Sequence, residues 1–168
     1  FAAGPPRNRT TLGACKACGA FTTTASNATA SVLGCQCEVG YFVNRTGSEN
    51  AGLPRCVPCL LGSDCSSVGV GVTLHTLPIR RVYFRPAPTS TEIWRCPDAL
   101  ASCEPMVNST KCVMVTSSGC RGGDETQNQC EAGLTGIFCG LCANTTGHYY
   151  YAHATRGSPS RCIPCDGL

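Results

Sequence analysis

Little in this chain favours a conventional apolar core. Aromatic residues make up 7% and charged residues 14% of the 168 positions, while Gly (19) and Pro (11) are plentiful, a balance that suits turns better than packed layers. Long apolar runs are lacking: no stretch approaches the roughly 20 residues of a spanning helix, so no membrane span is expected in this segment. Apolar residues do not recur at helical spacing, and Gly or Pro interrupts most windows, which predicts little helix. Lysine is nearly absent. Lys16 and Lys111 stand beside eleven arginines at a net charge of +3, and the densest basic cluster, Arg80, Arg81 and Arg85, is too short for a nucleic-acid surface. Catalytic signatures are missing as well: neither G-x-S-x-G nor H-E-x-x-H occurs, and His75, His148 and His153 are far from any activated nucleophile. The expectation is a protein that is not an enzyme and uses no cofactor.

Cysteine is what the chain has in excess. Sixteen are present: Cys15, Cys18, Cys35, Cys37, Cys56, Cys59, Cys65, Cys96, Cys103, Cys112, Cys120, Cys130, Cys139, Cys142, Cys162 and Cys165. Four pairs have C-x-x-C spacing (Cys15/Cys18, Cys56/Cys59, Cys139/Cys142, Cys162/Cys165), and that spacing alone does not separate disulfides from zinc. The N-x-[S/T] triplets decide between them. Asn8, Asn27, Asn44, Asn108 and Asn144 account for five of the seven asparagines, where about one such triplet is expected by chance. N-glycosylation and disulfides belong to the same oxidising route, so all sixteen cysteines are read as disulfide-bonded and no metal is expected. Crosslinks then replace burial, each raising the free energy of the unfolded ensemble by roughly 2–4 kcal/mol.

Four regions follow along the chain. Residues 1–14, with Gly4-Pro5-Pro6-Arg7-Asn8, read as an extended arm. Residues 15–65 form a first cysteine-rich block and residues 96–168 a second. Between them, 66–95 holds no cysteine, and the alternation of Val68, Val70, Val72 and Leu74, followed by Tyr83, Phe84, Ile93 and Trp94, predicts two or three short strands with turns at Pro78 and at Pro86 and Pro88. An internal repeat is visible: Arg55-Cys-Val-Pro-Cys matches Arg161-Cys-Ile-Pro-Cys, and Cys37-Glu-Val-Gly matches Cys130-Glu-Ala-Gly. The opening Phe-Ala-Ala-Gly lacks an initiator Met and the regions of a signal peptide, which reads as a processed or excerpted piece. Cys165, three residues from the end, is expected at an interface with whatever follows.

Other clusters carry less. Asp124, Glu125 and Asn128 are too loosely spaced for the six or more oxygens of a calcium site and read as a solvated loop. Tyr149, Tyr150 and Tyr151, flanked by His148 and His153, suit stacking on a sugar ring, but the expected role is packing of alternate tyrosines on adjacent disulfides. Thr22–Thr24 and the Pro86–Thr91 stretch suit O-linked sugars.

The run Cys130-Glu-Ala-Gly-Leu-Thr-Gly-Ile-Phe-Cys139-Gly-Leu-Cys142 resembles the end of an epidermal-growth-factor-like module of the laminin type. That resemblance implies bridges Cys130–Cys139 and Cys142–Cys162, with the two glycines permitting a tight turn. Cys35-Gln-Cys37-Glu-Val-Gly-Tyr-Phe is similar to such modules and to ephrin-receptor-like cysteine-rich repeats, which implies Cys37–Cys56 and Cys59–Cys65. A wider likeness spans about residues 35 to 165, through Gly62-Ser-Asp-Cys65, Arg81-Val-Tyr-Phe-Arg-Pro, Ser90-Thr-Glu-Ile-Trp-Arg-Cys96-Pro and Cys120-Arg-Gly-Gly. It resembles a recurring extracellular unit of algal and protist surface proteins, whose members include modular ectodomains and components of flagellar hairs and other fibrils. The expected fold is small, disulfide-rich, mostly β and loop, with EGF-like blocks flanking a short-stranded segment. The expected function is a structural subunit of an extracellular glycosylated filament or surface coat, its partners being copies of itself and attached glycans. The alternative is a ligand-binding ectodomain fragment of a receptor or adhesion protein.

Overall fold

The computed structural model describes residues 17–25, 29, 31–44, 54–99, 101–106, 109–114, 117–124, 129–143, 147–155 and 158–165, with 101–106 and 109–114 described as backbone. The arm at 1–14, Cys15 and four of the five sequon asparagines (Asn8, Asn27, Asn108, Asn144) lie outside them. The fold is a set of two-stranded antiparallel ribbons with no α-helix among the described residues, stapled by six disulfides between described cysteines. Two compact units are formed: 1–60 with 64–77, and 61–63 with 78–168. The cysteine-free segment is thus divided between them.

The first unit is two ribbons. β1 (Thr22–Thr24) pairs with β2 (Cys35–Cys37), and β3 (Tyr41–Val43) pairs with β4 (Cys56–Pro58). Period two puts Cys35 and Cys37 on one buried face of β2, where they bridge to Cys18 and Cys56. The turn from β2 to β3 closes through Tyr41 N–H on Glu38 O (3.1 Å), and its third residue has φ 88°, which Gly40 adopts without strain. After the Cys59–Cys65 bridge the chain returns as a strap along β3. Val43 N–H donates to Val72 O (2.8 Å), Leu74 N–H to Val43 O (3.3 Å) and Gly71 N–H to Cys37 O (2.9 Å). The alternating valines do not make the regular strand their pattern predicts. Gly69 and Gly71 sit at φ 87° and 81°, so only Val72 of the three turns inward, while Val68 and Val70 stay exposed. Leu77 ends the strap fully buried.

The second unit contains β5 (Tyr83–Phe84) with β6 (Trp94–Arg95), β7 (Ala101–Met106) with β8 (Ser109–Met114), β9 (Leu134–Thr135) with β10 (Leu141–Cys142), and β11 (Tyr149–Ala152) with β12 (Arg161–Pro164). The β7–β8 register sets Cys103 opposite Cys112. Here sulfur is the core: Phe84 and Leu134 cluster with Cys96, Cys120 and Cys139, and Cys130, Phe138, Tyr151 and Cys162 pack around them. Bridges Cys96–Cys120, Cys130–Cys139 and Cys142–Cys162 run through or beside that cluster. Ile79 and Gly123 exchange backbone bonds (2.7 and 2.8 Å), and the chains approach so closely that a Cβ on Gly122 would lie 2.4 Å from Ile79 O.

All four bridges implied by the resemblance are formed, but the internal repeat aligns differently from the sequence match. Cys37 corresponds to Cys142, because each bonds the first cysteine of the R-C-[VI]-P-C element. Cys130 corresponds to Cys18. Three residues on, Phe21 and Gly133 both have positive φ (58° and 81°), and their carbonyls accept from Glu38 N–H (3.0 Å) and Ala143 N–H (2.8 Å). The Cys-Glu-x-Gly identity linked two turns in different places of the unit; hydrogen bonding and register identify the true counterparts.

Candidate interaction surface

The sequence-designated residues separate into groups once placed. Twelve of the cysteines form the six bridges above, and Cys165, partly buried after β12, forms no bridge with another described cysteine. Asn44, the described sequon residue, follows β3; its backbone N–H donates to Arg55 O (3.1 Å), and its buried Oδ1 has no hydrogen-bond partner among the described residues. Asp124 is exposed, Glu125 and Asn128 lie outside the described residues, and no metal-sized cluster of His, Cys, Asp or Glu occurs among the described residues. No helix among them is long and apolar enough to cross a membrane.

The tyrosine cluster splits by strand alternation. Tyr151 turns toward the sulfur core and meets His153 edge-on (5.1 Å between ring centroids), whereas Tyr150 is 40% exposed. Tyr151 opens onto a group that the sequence did not signal. The Asp98 carboxylate accepts from Ser118 Oγ (2.6 Å), Gly119 N–H (2.7 Å), Tyr151 OH (3.0 Å) and Ser160 Oγ (2.5 Å). Burial pushes this carboxyl upward, but the hydrogen bonds from Ser118, Ser160, Gly119 and Tyr151 outweigh it and leave it below the ordinary carboxylate value. Burial first, then Asp98, holds the Tyr151 phenol above its usual value. Ser118 and Ser160 are fully buried with their protons committed to Asp98, so the constellation is a fastening and presents no nucleophile.

A second polar fastening lies nearby in the same unit. Arg85 N–H donates to Gln129 Oε1 (2.8 Å) and Gln129 Nε2 donates to Arg85 O (2.9 Å), both residues being about 1% exposed. Burial lowers the Arg85 pKa from its ordinary value, and an arginine so placed still carries its charge at neutral pH. Glu131 pairs with Arg81 at the surface, an exposed ion pair of small energetic weight.

The second unit also exposes apolar side chains: Trp94 (45% exposed), which meets Phe138 edge-on at 6.1 Å, Ile137 (72%) and Leu141 (62%), the last packed beside Gly136. Phe138 and Cys139 hold φ near 55°, a left-handed pair without glycine that the Cys130–Cys139 bridge closes over. In the first unit Phe21 stacks flat on Tyr41 (4.5 Å, 12°) and is half exposed. Comparison with known proteins identifies no family model that matches this chain, no curated relative and no solved structure of similar fold.

Proposed function

We propose that this chain is a structural subunit of an extracellular, N-glycosylated filament or surface coat that assembles through contacts between copies. The observation that carries the reading is the duplication of one disulfide-stapled unit, Cys18 to Cys59 and again Cys130 to Cys165, within a chain whose second unit clusters its core around cysteines. Tandem units of this kind extend a chain at little cost in apolar area, which suits an array better than a catalyst. Five sequons supply a coat of sugar that hydrates a fibre and shields it from proteases.

Electron imaging of the protein purified from its source tests the reading: uniform filaments support it, and monodisperse monomers overturn it. Glycan release that converts Asn8, Asn27, Asn44, Asn108 and Asn144 to Asp, read by peptide mass, tests the extracellular assignment separately. A second reading, a ligand-binding ectodomain fragment, is favoured by the exposed Trp94, since aromatic anchors of that kind dominate binding surfaces. Monomers that capture a ligand, with capture lost on Trp94→Ala, would support it.

A further inference from the structure

The longest ribbon among the described residues, β7 with β8, grows from a base where its two limbs are held together. Val82 accepts the Cys96 N–H on its carbonyl (2.8 Å) and gives its own N–H to Cys120 O (3.0 Å), and Cys96 is bridged to Cys120 in the buried cluster. Residues 101–114 lie wholly inside the loop that this bridge closes. They pair from Ala101 opposite Met114 to Met106 opposite Ser109, with residues 107 and 108 between the strands.

That register fixes the bonding type of each pair. Where two residues join antiparallel strands, the pair beside them exchanges both backbone bonds, and the type then alternates along the ribbon. Counting from Met106 and Ser109, the pairs Glu104–Lys111 and Ser102–Val113 are bonded, whereas Pro105–Thr110 and Cys103–Cys112 are non-bonded. Pro105 supports the count: it has no N–H to donate, and a non-bonded position in a two-stranded sheet asks for none. Non-bonded partners bring their Cα atoms to about 4.5 Å, within the roughly 4.4–6.8 Å that a disulfide spans. Twelve of the other cysteines are already committed to the six bridges described above.

We propose that Cys103 and Cys112 are bonded to each other, in a bridge nested inside Cys96–Cys120 that clamps residues 101–114 as a two-stranded finger. Each thiol gives up one proton and one electron as the S–S bond forms, and the acceptor is a disulfide of the secretory folding machinery, which leaves as a dithiol. A ribbon of two strands is marginal in water by itself, and a crosslink between facing residues removes entropy from its open form. The sequon Asn108-Ser109-Thr110 begins between the strands, so a sugar on Asn108 is carried by this finger. The sugar rests on the extracellular glycoprotein reading, whereas the bridge rests on backbone register and holds equally for a filament subunit or an ectodomain.

Bridge mapping on the unreduced native protein tests this, because the chain's two methionines, Met106 and Met114, bracket Cys112. After free thiols are alkylated, cyanogen bromide in acid releases 107–114 with Cys112 as its sole cysteine, and cleavage before Asp98 yields 98–106 with Cys103 alone. Expected is one species in which these two fragments are joined, with no third attached, and which reduction separates. Joining of either fragment to another part of the chain, or alkylation of Cys103 or Cys112, overturns the proposal. Glycan mass on 107–114, lost on enzymatic release as Asn108 becomes Asp, is expected as well; an unmodified fragment overturns the sugar and leaves the bridge standing. Cys103→Ser with Cys112→Ser should speed amide exchange in β7 and β8 by about tenfold or more while β9 and β10 stay protected. Unchanged exchange in β7 and β8 overturns the clamp.

Discussion

In the first unit the hairpin β3–β4 is completed by backbone, with a strap bonded along Val43 and two buried apolar anchors, Val72 and Leu77. The equivalent hairpin β11–β12 is completed by side chains: Tyr151 reaches Asp98, which also gathers Ser118, Gly119 and Ser160. The polar residues buried as a whole among the described residues (Ser63, Arg85, Ser118, Gln129, Ser160) belong to the second unit, while the first buries the Oδ1 atom of the half-buried Asn44. One disulfide scaffold therefore tolerates two solutions to the same need. Because the bridges fix the hairpin, what covers it is free to differ.

The most forceful way to break the comparison is to remove the matching bridge from each unit. Cys37→Ser with Cys56→Ser, and separately Cys142→Ser with Cys162→Ser, should each cost about 2–5 kcal/mol. Hydrogen exchange resolved by unit should show the first pair abolishing protection in β1–β4 and the strap at 71–74. The second pair should leave protection around Cys96–Cys120, where Gln129 and Asp98 still hold. Equal collapse of both units after either change would show that the two do not fold separately.

Gly122→Ala sharpens the contrast next. Its Cβ would meet Ile79 O at 2.4 Å and Arg80 C at 2.7 Å, at a φ of 72°, so roughly 2–4 kcal/mol should be lost in the second unit alone. Gly133→Ala is the control: φ is 81° but nothing lies within 4 Å of the new Cβ, and only the left-handed cost of about 1–2 kcal/mol applies. Chemical denaturation of each variant reads the difference.

Acid should act on one unit only through Asp98. Its folded pKa lies below the unfolded value, so its contribution is complete above the ordinary carboxylate range, near pH 4, and is lost as pH falls through the folded value. Asp98→Asn should destabilise the second unit at neutral pH and flatten its acid transition, followed by tyrosine fluorescence. An unchanged acid profile in that variant would remove Asp98 from the account.

The smallest effect is expected at Phe21→Gly, which installs the first unit's counterpart of Gly133. Relief of the φ 58° backbone, about 1–2 kcal/mol, opposes loss of the Tyr41 stack, about 0.5–1.5 kcal/mol, so the net change in stability should stay within about 1.5 kcal/mol.

Several features of this architecture are legible in the residues. The scarcity of aromatic side chains against sixteen cysteines predicts a sulfur-stapled β and loop fold, and the resemblance of residues 130–142 to a laminin-type module implies the tight turn and the Cys130–Cys139 bridge that the structure contains. The valine alternation at 68–74 misleads because period two reports which side chains could share a face, whereas Gly69 and Gly71 at positive φ bend the chain into a strap. Asp98 gives no local signal: its partners lie 20, 21, 53 and 62 residues away, beyond the reach of any spacing rule.

Composition and cysteine spacing by themselves determine that this chain is held by crosslinks, since too little apolar surface exists to hold it otherwise, and they mark the R-C-[VI]-P-C elements as repeats. Only the tertiary structure decides which cysteine answers to which across the repeat. It also decides that one hairpin is covered by a strap along Val43 while in the other Tyr151 reaches Asp98. Strand register and hydrogen-bond alternation are set by contacts between distant segments, and nothing in the linear order of residues encodes them locally.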